Sequence, residues 1–580
     1  MPRPWSAYCD SKFNSTWTRA VVGGASARTC PAERAAHSAG PRPGQLPRHC
    51  AALVSPAGSL RRATSDMHVL RPGLLQQLLL TMAASLGYLT IGLVRGFSSP
   101  GVPSMQQLAP HLVPHEDAVS WVSAIPPLGA MIGSLVAGPL LQNIGRKRTL
   151  MVSSPLFLAG WACIATAQNY PMLLCARLLT GFCAGIVTPS AQVYVTECAH
   201  ADIRGILGSL PALFMAGGIL VAYLLGAWLP WNLLAWSCAI FPTLQFFVML
   251  PLPESPAWYL SRGCHEEAAK AMKWLHHSSE SKDQVPQIDQ RRGSIFAVAP
   301  VPPVLPEDEP EASKTKLAGS YNLKALLRRP VIMPFVLSLT ILVFQQFSGI
   351  DTIIFYTVTI FQAAGSSVDE HLATIFVGLV QLIANFMALF LIDRSGRRPL
   401  LVISGALMCM SMAAMGTHFY LQKTNFALSK NLGMLPLLSM IVFMVGFSVG
   451  YCSIPFLLMG ELLPVRQRSF LSSVVGSINL GSMFVVIKTY PLIEDLIGAY
   501  GAFWLYAAFC LASCVFVICL VPETKGKTLD EIEAHFEESN RLRKEKIAMS
   551  LRSHTMAETN VDKNDDECAK KCNELTIPNT

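Results

Sequence analysis

Polar side chains interrupt several long apolar runs of this sequence. The run at 330–363 holds Gln345 and Gln346, and Asp351 follows a few residues later. An amide donates and accepts hydrogen bonds at once, so a buried pair of amides suits an uncharged polar ligand. In lipid such side chains are costly unless they face a cavity or bond to a neighbouring helix. These residues therefore indicate binding of a polar solute, with bonding between helices as the alternative.

A second set of residues is charged and occurs twice in the chain. Three pairs of short motifs match in the same order: Gly-Arg-Lys at 145–147 with Gly-Arg-Arg at 396–398, Glu197 and Arg204 with Glu461 and Arg468, and Pro-Glu-Ser-Pro at 253–256 with Pro-Glu-Thr-Lys at 522–525. The spacing from glutamate to arginine is the same in both copies of the second pair. This repetition indicates a chain made of two similar halves.

The composition is typical of a chain that folds in lipid. Hydrophobic residues make up 52% of its 580 residues and charged residues 14%, whereas soluble domains carry about 25% charged residues. A spanning helix needs about 20 apolar residues. Twelve runs reach that length: 74–95, 118–141, 149–168, 172–195, 204–227, 233–252, 330–363, 371–392, 399–420, 434–460, 469–493 and 498–521. We predict an all-α membrane protein with twelve transmembrane helices in two pseudo-symmetric six-helix bundles.

Lysine and arginine predict the orientation of these helices. The connections at 96–117 and 364–370 contain neither residue, whereas Arg146, Lys147 and Arg148 follow the second run. Basic connections stay in the cytoplasm, so we expect a multi-pass plasma-membrane protein with both termini inside. The predicted parts are a disordered N-terminal extension (1–70), a first bundle (71–252), a cytoplasmic linker with an amphipathic helix (253–329), a second bundle (330–521) and a cytoplasmic tail (522–580).

Several classes of function lack support in the sequence. The net charge is +8; nine of the basic residues lie in the first 70 positions, against three acidic ones, and most of the rest cluster in short segments between apolar runs. This distribution forms no continuous basic face for nucleic acid. The nearest match to a phosphate loop, Gly526-Lys527-Thr528, has Val521 at the first glycine position. Cysteines such as Cys183 and Cys238 lie in apolar runs and suit buried packing. We expect no enzyme activity, no cofactor, no metal, no nucleotide and no nucleic-acid partner.

The duplicated motifs resemble those of the sugar porters, the glucose-transporter-like branch of the major facilitator superfamily. The resemblance covers about 74–535 and is strongest at Gln345-Gln346-Phe-Ser-Gly349, Asp393-Arg-Ser-Gly-Arg-Arg398, Pro253-Glu-Ser-Pro256 and Pro522-Glu-Thr-Lys-Gly526. The short first connection, with Gly-Phe-Ser-Ser-Pro at 96–100, is similar to insect facilitated trehalose transporters. The family implies that a monomer in the lipid bilayer carries a sugar, trehalose or a hexose, by alternating access and facilitated diffusion. A proton-coupled symporter and a sugar sensor that does not transport are the alternatives.

The resemblance also implies a sugar site. Its predicted members are Gln345, Gln346, Asp351, Tyr356, Gln381, Phe456 and Asn479. Amides would bind sugar hydroxyls, and aromatic rings would cover the apolar face of the sugar. The chain departs from the family at Ala212, where a glutamine is usual, at Leu480, where a tryptophan is usual, and at Asp351, where an asparagine is usual. These changes leave glucose and a disaccharide such as trehalose both open. Pro455 is expected to break the tenth run.

The family further implies a cytoplasmic latch of ion pairs between the two halves. Its predicted members are Arg146, Arg177, Glu197, Arg204, Glu254, Asp393, Arg397, Glu461, Arg468 and Glu523. Simple anchoring of basic residues at the cytoplasmic surface is the alternative. Gln142 and Asn143 stand where the second half has Asp393 and Arg394, which predicts a weaker latch in the first half.

Asp351 admits two roles. A carboxylate inside a membrane is a candidate for proton coupling, and it could also accept a bond from a sugar hydroxyl. The proton-coupled sugar porters carry an acid in their first run, and this chain has none there. The charge in that run is Arg95, which we expect to extend along its aliphatic stem to the outer membrane surface.

Overall fold

Long apolar runs fold as helices in this chain because lipid offers no partner to a free backbone amide. The computed structural model describes residues 73–200, 203–276, 329–464 and 468–525, together with 531, 534 and 536. The predicted N-terminal extension, the centre of the linker and the end of the tail lie outside the described residues.

The first half supplies six spanning helices and three short ones. In chain order they are α1 (Leu74–Gly96), the short α2 (Ser98–Leu108), α3 (Glu116–Asn143), α4 (Arg146–Ala165), α5 (Tyr170–Cys198), α6 (Arg204–Gly226), α7 (Trp231–Met249), and the short α8 (Pro256–Ser261) and α9 (His265–His276). The predicted spans agree with these bounds to within a few residues. Helix α2, which lies in the first predicted connection, was not predicted.

The second half contains α10 (Arg329–Phe347), α11 (Ile350–Ala364), α12 (Glu370–Ser395), α13 (Arg397–Thr424), the short α14 (Phe426–Asn431), α15 (Leu435–Val449), α16 (Ile454–Leu462) and α17 (Arg468–Leu520). Helices α10 and α11 together form one span, and so do α15 and α16. Helix α17 has 53 residues and would be about 80 Å long if it were straight. It bends at Gly498 (φ +80°) and crosses twice, so the described residues contain twelve spans.

Two of these spans are broken near their middle. Gly349, between α10 and α11, has φ +87°, and a Cβ there would lie 2.7 Å from Cδ2 of Tyr506. Only glycine adopts this conformation without strain. The second break precedes α16, which begins at Ile454 with Pro455 in its first turn, where proline is tolerated. The predicted break at Pro455 is confirmed, and the break at Gly349 was not predicted.

The buried apolar side chains form two cores, one within the first half and one mainly in the second half that also includes Ala124, Ile219 and Tyr223 of the first half. Phe157 and Trp161 belong to the first core, and Phe443 and Phe503 belong to the second. Large apolar side chains also cover the outside of the helices: Ile240 is 63% exposed and Met387 is 64% exposed. An apolar exterior of this kind suits lipid rather than water.

Successive spans run in alternate directions, which defines two ends of the bundle. The end at which Gly145 and Gly396 lie is called the motif end, and the other is called the opposite end. The predicted amphipathic helix packs at the motif end as α8 and α9, where Gln77 Nε2 donates to the Leu275 carbonyl at 3.4 Å. Its predicted apolar positions Trp258, Ala268 and Ala271 are buried.

Candidate functional site

Three amides converge near the middle of the second half. Gln345 and Gln346 lie in the last turn of α10, and Asn479 lies on α17; all three are buried. Asn479 Nδ2 donates to Gln345 Oε1 at 3.3 Å, and Gln346 Nε2 donates to Asn479 Oδ1. Gln345 Nε2 donates to the Tyr451 carbonyl at 2.6 Å, at the break before α16. Gln346 Oε1 has no partner, so the cluster keeps an acceptor for a ligand.

Helix α12 adds two more buried amides. Gln381 is 3% exposed and Asn385 is 6% exposed. Gln381 Oε1 has no hydrogen-bond partner, and neither amide atom of Asn385 has one. An unpaired buried polar group costs about 1–3 kcal/mol, so these atoms suit bonding to a solute or to water. Asn385 was not predicted as a site residue; its signal is the four-residue spacing from Gln381, which places both on one helix face.

The two predicted aromatic residues differ in their surroundings. Tyr356 is buried, stacks against Tyr490 with ring centroids 5.2 Å apart, and donates to the Ile487 carbonyl at 3.4 Å. Its φ of −119° places a kink within α11. Phe456 is 46% exposed, in the first turn of α16. Tyr356 is therefore held by Tyr490 and Ile487 of α17, whereas the side chain of Phe456 is nearly half exposed.

Asp351 forms a buried ion pair that the sequence did not predict. Its side chain is fully buried at the start of α11, and its Oδ1 accepts a hydrogen bond from Nη2 of Arg95 on α1. The expectation that Arg95 extends to the membrane surface is wrong, because its guanidinium turns inward to the carboxylate. The pair joins the two halves of the chain.

Other contacts join the halves on either side of this ion pair. Near the opposite end, Tyr223 Oη donates to the Ile354 carbonyl at 2.8 Å, and Val358 N donates to Ser99 Oγ at 3.2 Å. Lys488 pairs with Asp117 at that same end. The halves also touch between α3 and α17 further towards the motif end, where Ser134 Oγ and Ser477 Oγ are 3.4 Å apart.

At the motif end, a glutamate caps the first turn of α4. Glu254 is 4% exposed, and its Oε1 accepts from the backbone amides of Arg146 and Lys147, both at 2.9 Å. Gly145 precedes the helix with φ +104°, and a Cβ there would lie 2.6 Å from Glu254 Oε2. The Gly-Arg pair therefore brings a helix N-terminus, with its free amides and positive dipole end, onto a carboxylate.

The second half repeats this arrangement. Glu523 accepts from the backbone amides of Arg397 at 3.1 Å and Arg398 at 3.0 Å, beside Gly396 with φ +88°. Burial raises the pKa of the Glu523 carboxyl, but hydrogen bonds from backbone amides lower it by more, so its pKa lies below the ordinary value of 4.5. The duplicated motifs thus build the same cap twice.

The ion pairs at the motif end lie within the halves. Arg146 pairs with Glu197 at 2.8 Å and Arg397 pairs with Glu461 at 3.3 Å. In this conformation each arginine pairs within its own half, because each glutamate ends a helix that packs beside its own arginine. The predicted pairing between the halves in the outward-open state stays a prediction. Arg204 donates to the Ala199 carbonyl at 3.3 Å. The side chains of Asp393 and Arg468 lie outside the described residues.

Arg177 does not belong to the motif end. It lies in the second turn of α5, near the opposite end, and is fully buried. Its guanidinium donates to the carbonyls of Val122 at 3.2 Å and Val94 at 3.3 Å, and to Ser98 Oγ. Its predicted place in the latch is therefore wrong, and it instead fixes the junction of α1 and α2.

The candidate site contains amide donors and acceptors, and beside them lies the ion pair of Arg95 and Asp351. Within the described part of the chain, no three His, Cys, Asp or Glu side chains are grouped as metal ligands. The arrangement suits reversible binding of an uncharged, hydroxyl-rich solute by amides.

Comparison with known sequences gives a consistent result. A family model described as sugar (and other) transporter matches residues 80–536. The chain is 39% identical to the facilitated trehalose transporter Tret1 of Apis mellifera ligustica over 461 residues, covering 79% of this chain and 88% of that protein. It is 40% identical to the Tret1-2 homolog of Drosophila simulans over 458 residues, covering 79% and 90%. It spans about half the length of other matching relatives, such as 51% of Tret1 of Drosophila mojavensis.

Solved structures show the same arrangement of helices. The chain is similar to the inward open conformation of the xylose transporter XylE from E. coli, with a TM-score of 0.63 and 23% sequence identity, covering 78% of this chain and 98% of that one. At this level of identity, the similarity concerns the fold.

Proposed function

The chain belongs to the sugar (and other) transporter family, with the major facilitator fold predicted from its sequence, and from this we propose that it carries a sugar across a membrane by alternating access. The proposed site comprises Gln345, Gln346, Gln381, Asn385 and Asn479. The observation that carries the proposal is this set of buried amides, several with unbonded atoms. Such amides replace water around sugar hydroxyls and disfavour a solute that leaves them unpaired.

The proposed solute is trehalose, with a hexose as the second candidate. Two relatives at 39–40% identity are named as facilitated trehalose transporters. Ala212 and Leu480, where the family has glutamine and tryptophan, leave more room and fewer polar contacts. That change suits a larger sugar.

The proposed mode is facilitated diffusion. Asp351 has a permanent counter-charge in Arg95, so it needs no proton to be tolerated in its buried position. We further propose that the motif end faces the cytoplasm, as its basic residues favour, that the chain works as a monomer, and that it resides in the plasma membrane.

Uptake by vesicles tests this function directly. Purified full-length chain in proteoliposomes should take up labelled trehalose down its gradient. With an inward proton gradient imposed on the vesicles, a protonophore should leave the initial rate unchanged within about twofold, because no proton is coupled. Absence of uptake for both trehalose and glucose, with binding retained, would identify a sensor. A collapse of the rate with the protonophore would identify a symporter.

Substitution tests the site. Gln346→Ala removes one amide and leaves Asn479 Oδ1 without its donor, so uptake should fall about tenfold or more. The matched control is Gln106→Ala, which removes an exposed amide from α2 and should keep the parental rate. A Gln346→Ala variant that transports like the parent contradicts the assigned site.

A further inference from the structure

The ion pair between Arg95 and Asp351 crosses from one half of the molecule to the other. Arg95 lies in the last turn of α1 and Asp351 in the first turn of α11. Asp351 is fully buried, and the side chain of Arg95 is 19% exposed. Two further atoms of the pair, Arg95 Nε and Asp351 Oδ2, are buried without partners. Arg95 Nη1 also donates to Met215 Sδ, a weak acceptor, at 3.7 Å.

Each charge therefore depends on the other. A charged side chain inside a membrane is tolerated when it is paired or faces water. Removing one member of a buried pair leaves the other charge uncompensated, which is far more costly than removing both. Separation of the halves at this point requires water or a solute to take the place of the lost partner.

The position of Asp351 gives the pair a place in the transport cycle. Helix α11 begins just after the break at Gly349, and the amides Gln345 and Gln346 lie just before it. Further along α11, the Ile354 carbonyl and Val358 N bond to Tyr223 and Ser99 of the first half. Helix α11 is thus one of the elements of the second half that close the opposite end against the first half.

We propose that Arg95 and Asp351 form a charge-paired gate, which closes when α11 packs against α1 and opens when the opposite end opens. The proposal rests on the proposed function, because a gate presupposes a transported solute. While the gate is closed, the free Asp351 Oδ2 is an acceptor for a hydroxyl of the bound sugar. Opening exposes both charges to the water that enters from the opposite end.

A double-substitution cycle tests the dependence of one charge on the other. Arg95→Gln and Asp351→Asn should each lower sugar uptake about tenfold or more, because each strands a buried charge. The double variant should recover to within about threefold of the parent. The matched control is Asp117→Asn, which removes an acid from a second cross-half pair, that with Lys488; the acid is 75% exposed, so this variant should stay within about twofold of the parent.

A second measurement follows the gate itself without sugar. Ser99 lies beside α11 and is buried, so Ser99→Cys, in a chain whose native cysteines are replaced, reports opening of the opposite end. Modification by a membrane-impermeant maleimide should be about fivefold faster or more in each single variant, and near the parental rate in the double variant. All variants are compared as monodisperse protein after size-exclusion chromatography.

The outcomes separate the gate from the proposed function. Faster labelling in both single variants, with recovery in the double variant, supports the gate. This holds even if the parent transports neither trehalose nor glucose. That absence of transport would contradict the proposed function and not the gate. Unchanged labelling in the single variants overturns the gate. A double variant no better than the worse single variant also overturns it, because the two residues then act independently. Loss of uptake in Asp351→Asn without any effect of Arg95→Gln overturns the gate as well. Asp351 would then act as a ligand of the sugar and not as the partner of Arg95.

Discussion

Glu254 and Glu523 explain, at the level of single residues, why the charged motifs occur twice. Each carboxylate accepts bonds from the free amides that open a spanning helix, and each lies against a glycine with positive φ. A larger residue at Gly145 would both adopt a strained backbone and meet the carboxylate. The motifs are therefore packing devices within each half, and their role does not require the halves to touch.

The low pKa of Glu523 predicts how stability depends on pH. Its folded-state pKa lies below the ordinary value, so its contribution is present above pH 4.5 and is lost as the pH falls through the lower folded-state pKa. Glu523→Gln should lower the free energy of unfolding by about 1 kcal/mol at pH 7. The difference from the parent should shrink steadily in thermal melts below pH 4.5.

The control for this prediction is Glu267→Gln, which changes an exposed carboxylate on α9. It should alter the melting temperature much less than Glu523→Gln does at pH 7. A difference between Glu523→Gln and the parent that grows on acidification has the wrong sign for a capping carboxylate.

Individual residues also mark the limit of prediction from sequence. The resemblance to sugar porters implied that Gln345, Gln346 and Asn479 share one site, and the structure brings the three amides into contact. The partner of Arg95 was not, since it lies 256 residues away and pairing at that distance depends on how the halves meet. Arg177 was misplaced because its charge suggested a surface, whereas backbone carbonyls satisfy it inside the first half.

At the level of elements, glycines let helices pack at backbone distance. A Cβ on Gly218 of α6 would lie 2.1 Å from the Leu89 carbonyl of α1, and one on Gly185 of α5 would lie 2.1 Å from the Ala130 carbonyl of α3. Small residues at helix crossings drive packing in membranes, where burial of apolar surface does not. These crossings hold the first half together.

Two adjacent glycines of α6 provide a matched test. Gly218→Ala places a methyl group against backbone that cannot move freely, so it should destabilise the protein by about 1–3 kcal/mol. A Cβ on Gly217 would meet no atom within 4 Å. Gly217→Ala should therefore be neutral or stabilise the helix by up to about 1 kcal/mol. Melting temperatures in detergent measure both variants. Equal melting temperatures for the two variants would show that the crossing tolerates a side chain.

Elements were predicted well where length and hydropathy decide them. All twelve spans follow from apolar runs because a bilayer fixes the length of a helix. The break at Gly349 was missed because it does not interrupt the apolar run at 330–363. Helix α2 was missed because it is not part of a long apolar run. The break before α16 was predicted because Pro455 lacks a backbone N–H, and a proline in a helix interior kinks or breaks the helix.

At the level of the whole molecule, the two cores and the contacts between them describe two rigid bundles. The first cluster lies within the first half, the second lies mainly in the second half, and each half has an ion pair of its own at the motif end. Cross-half contacts run from Lys488 and Asp117 near the opposite end to Ser134 and Ser477 nearer the motif end. Rocking of one bundle against the other must break these contacts in turn while the packing within each half stays intact.

A disulfide between the bundles tests this motion. Ser134 Oγ and Ser477 Oγ are 3.4 Å apart, close enough for cysteines at these positions to be bridged with little backbone movement. In a chain otherwise free of cysteine, Ser134→Cys with Ser477→Cys should cross-link on mild oxidation, and sugar uptake should fall about fivefold or more and return on reduction.

The bond ties α3 to α17 on the motif-end side of Arg95 and Asp351, so it prevents the halves from parting there even if the opposite end still opens. Ser134→Cys alone controls for the substitution and for the oxidant and should keep its uptake. Full uptake by the cross-linked protein would mean that solute passes without the two bundles separating at that crossing, and a rocking mechanism would then be wrong for this chain.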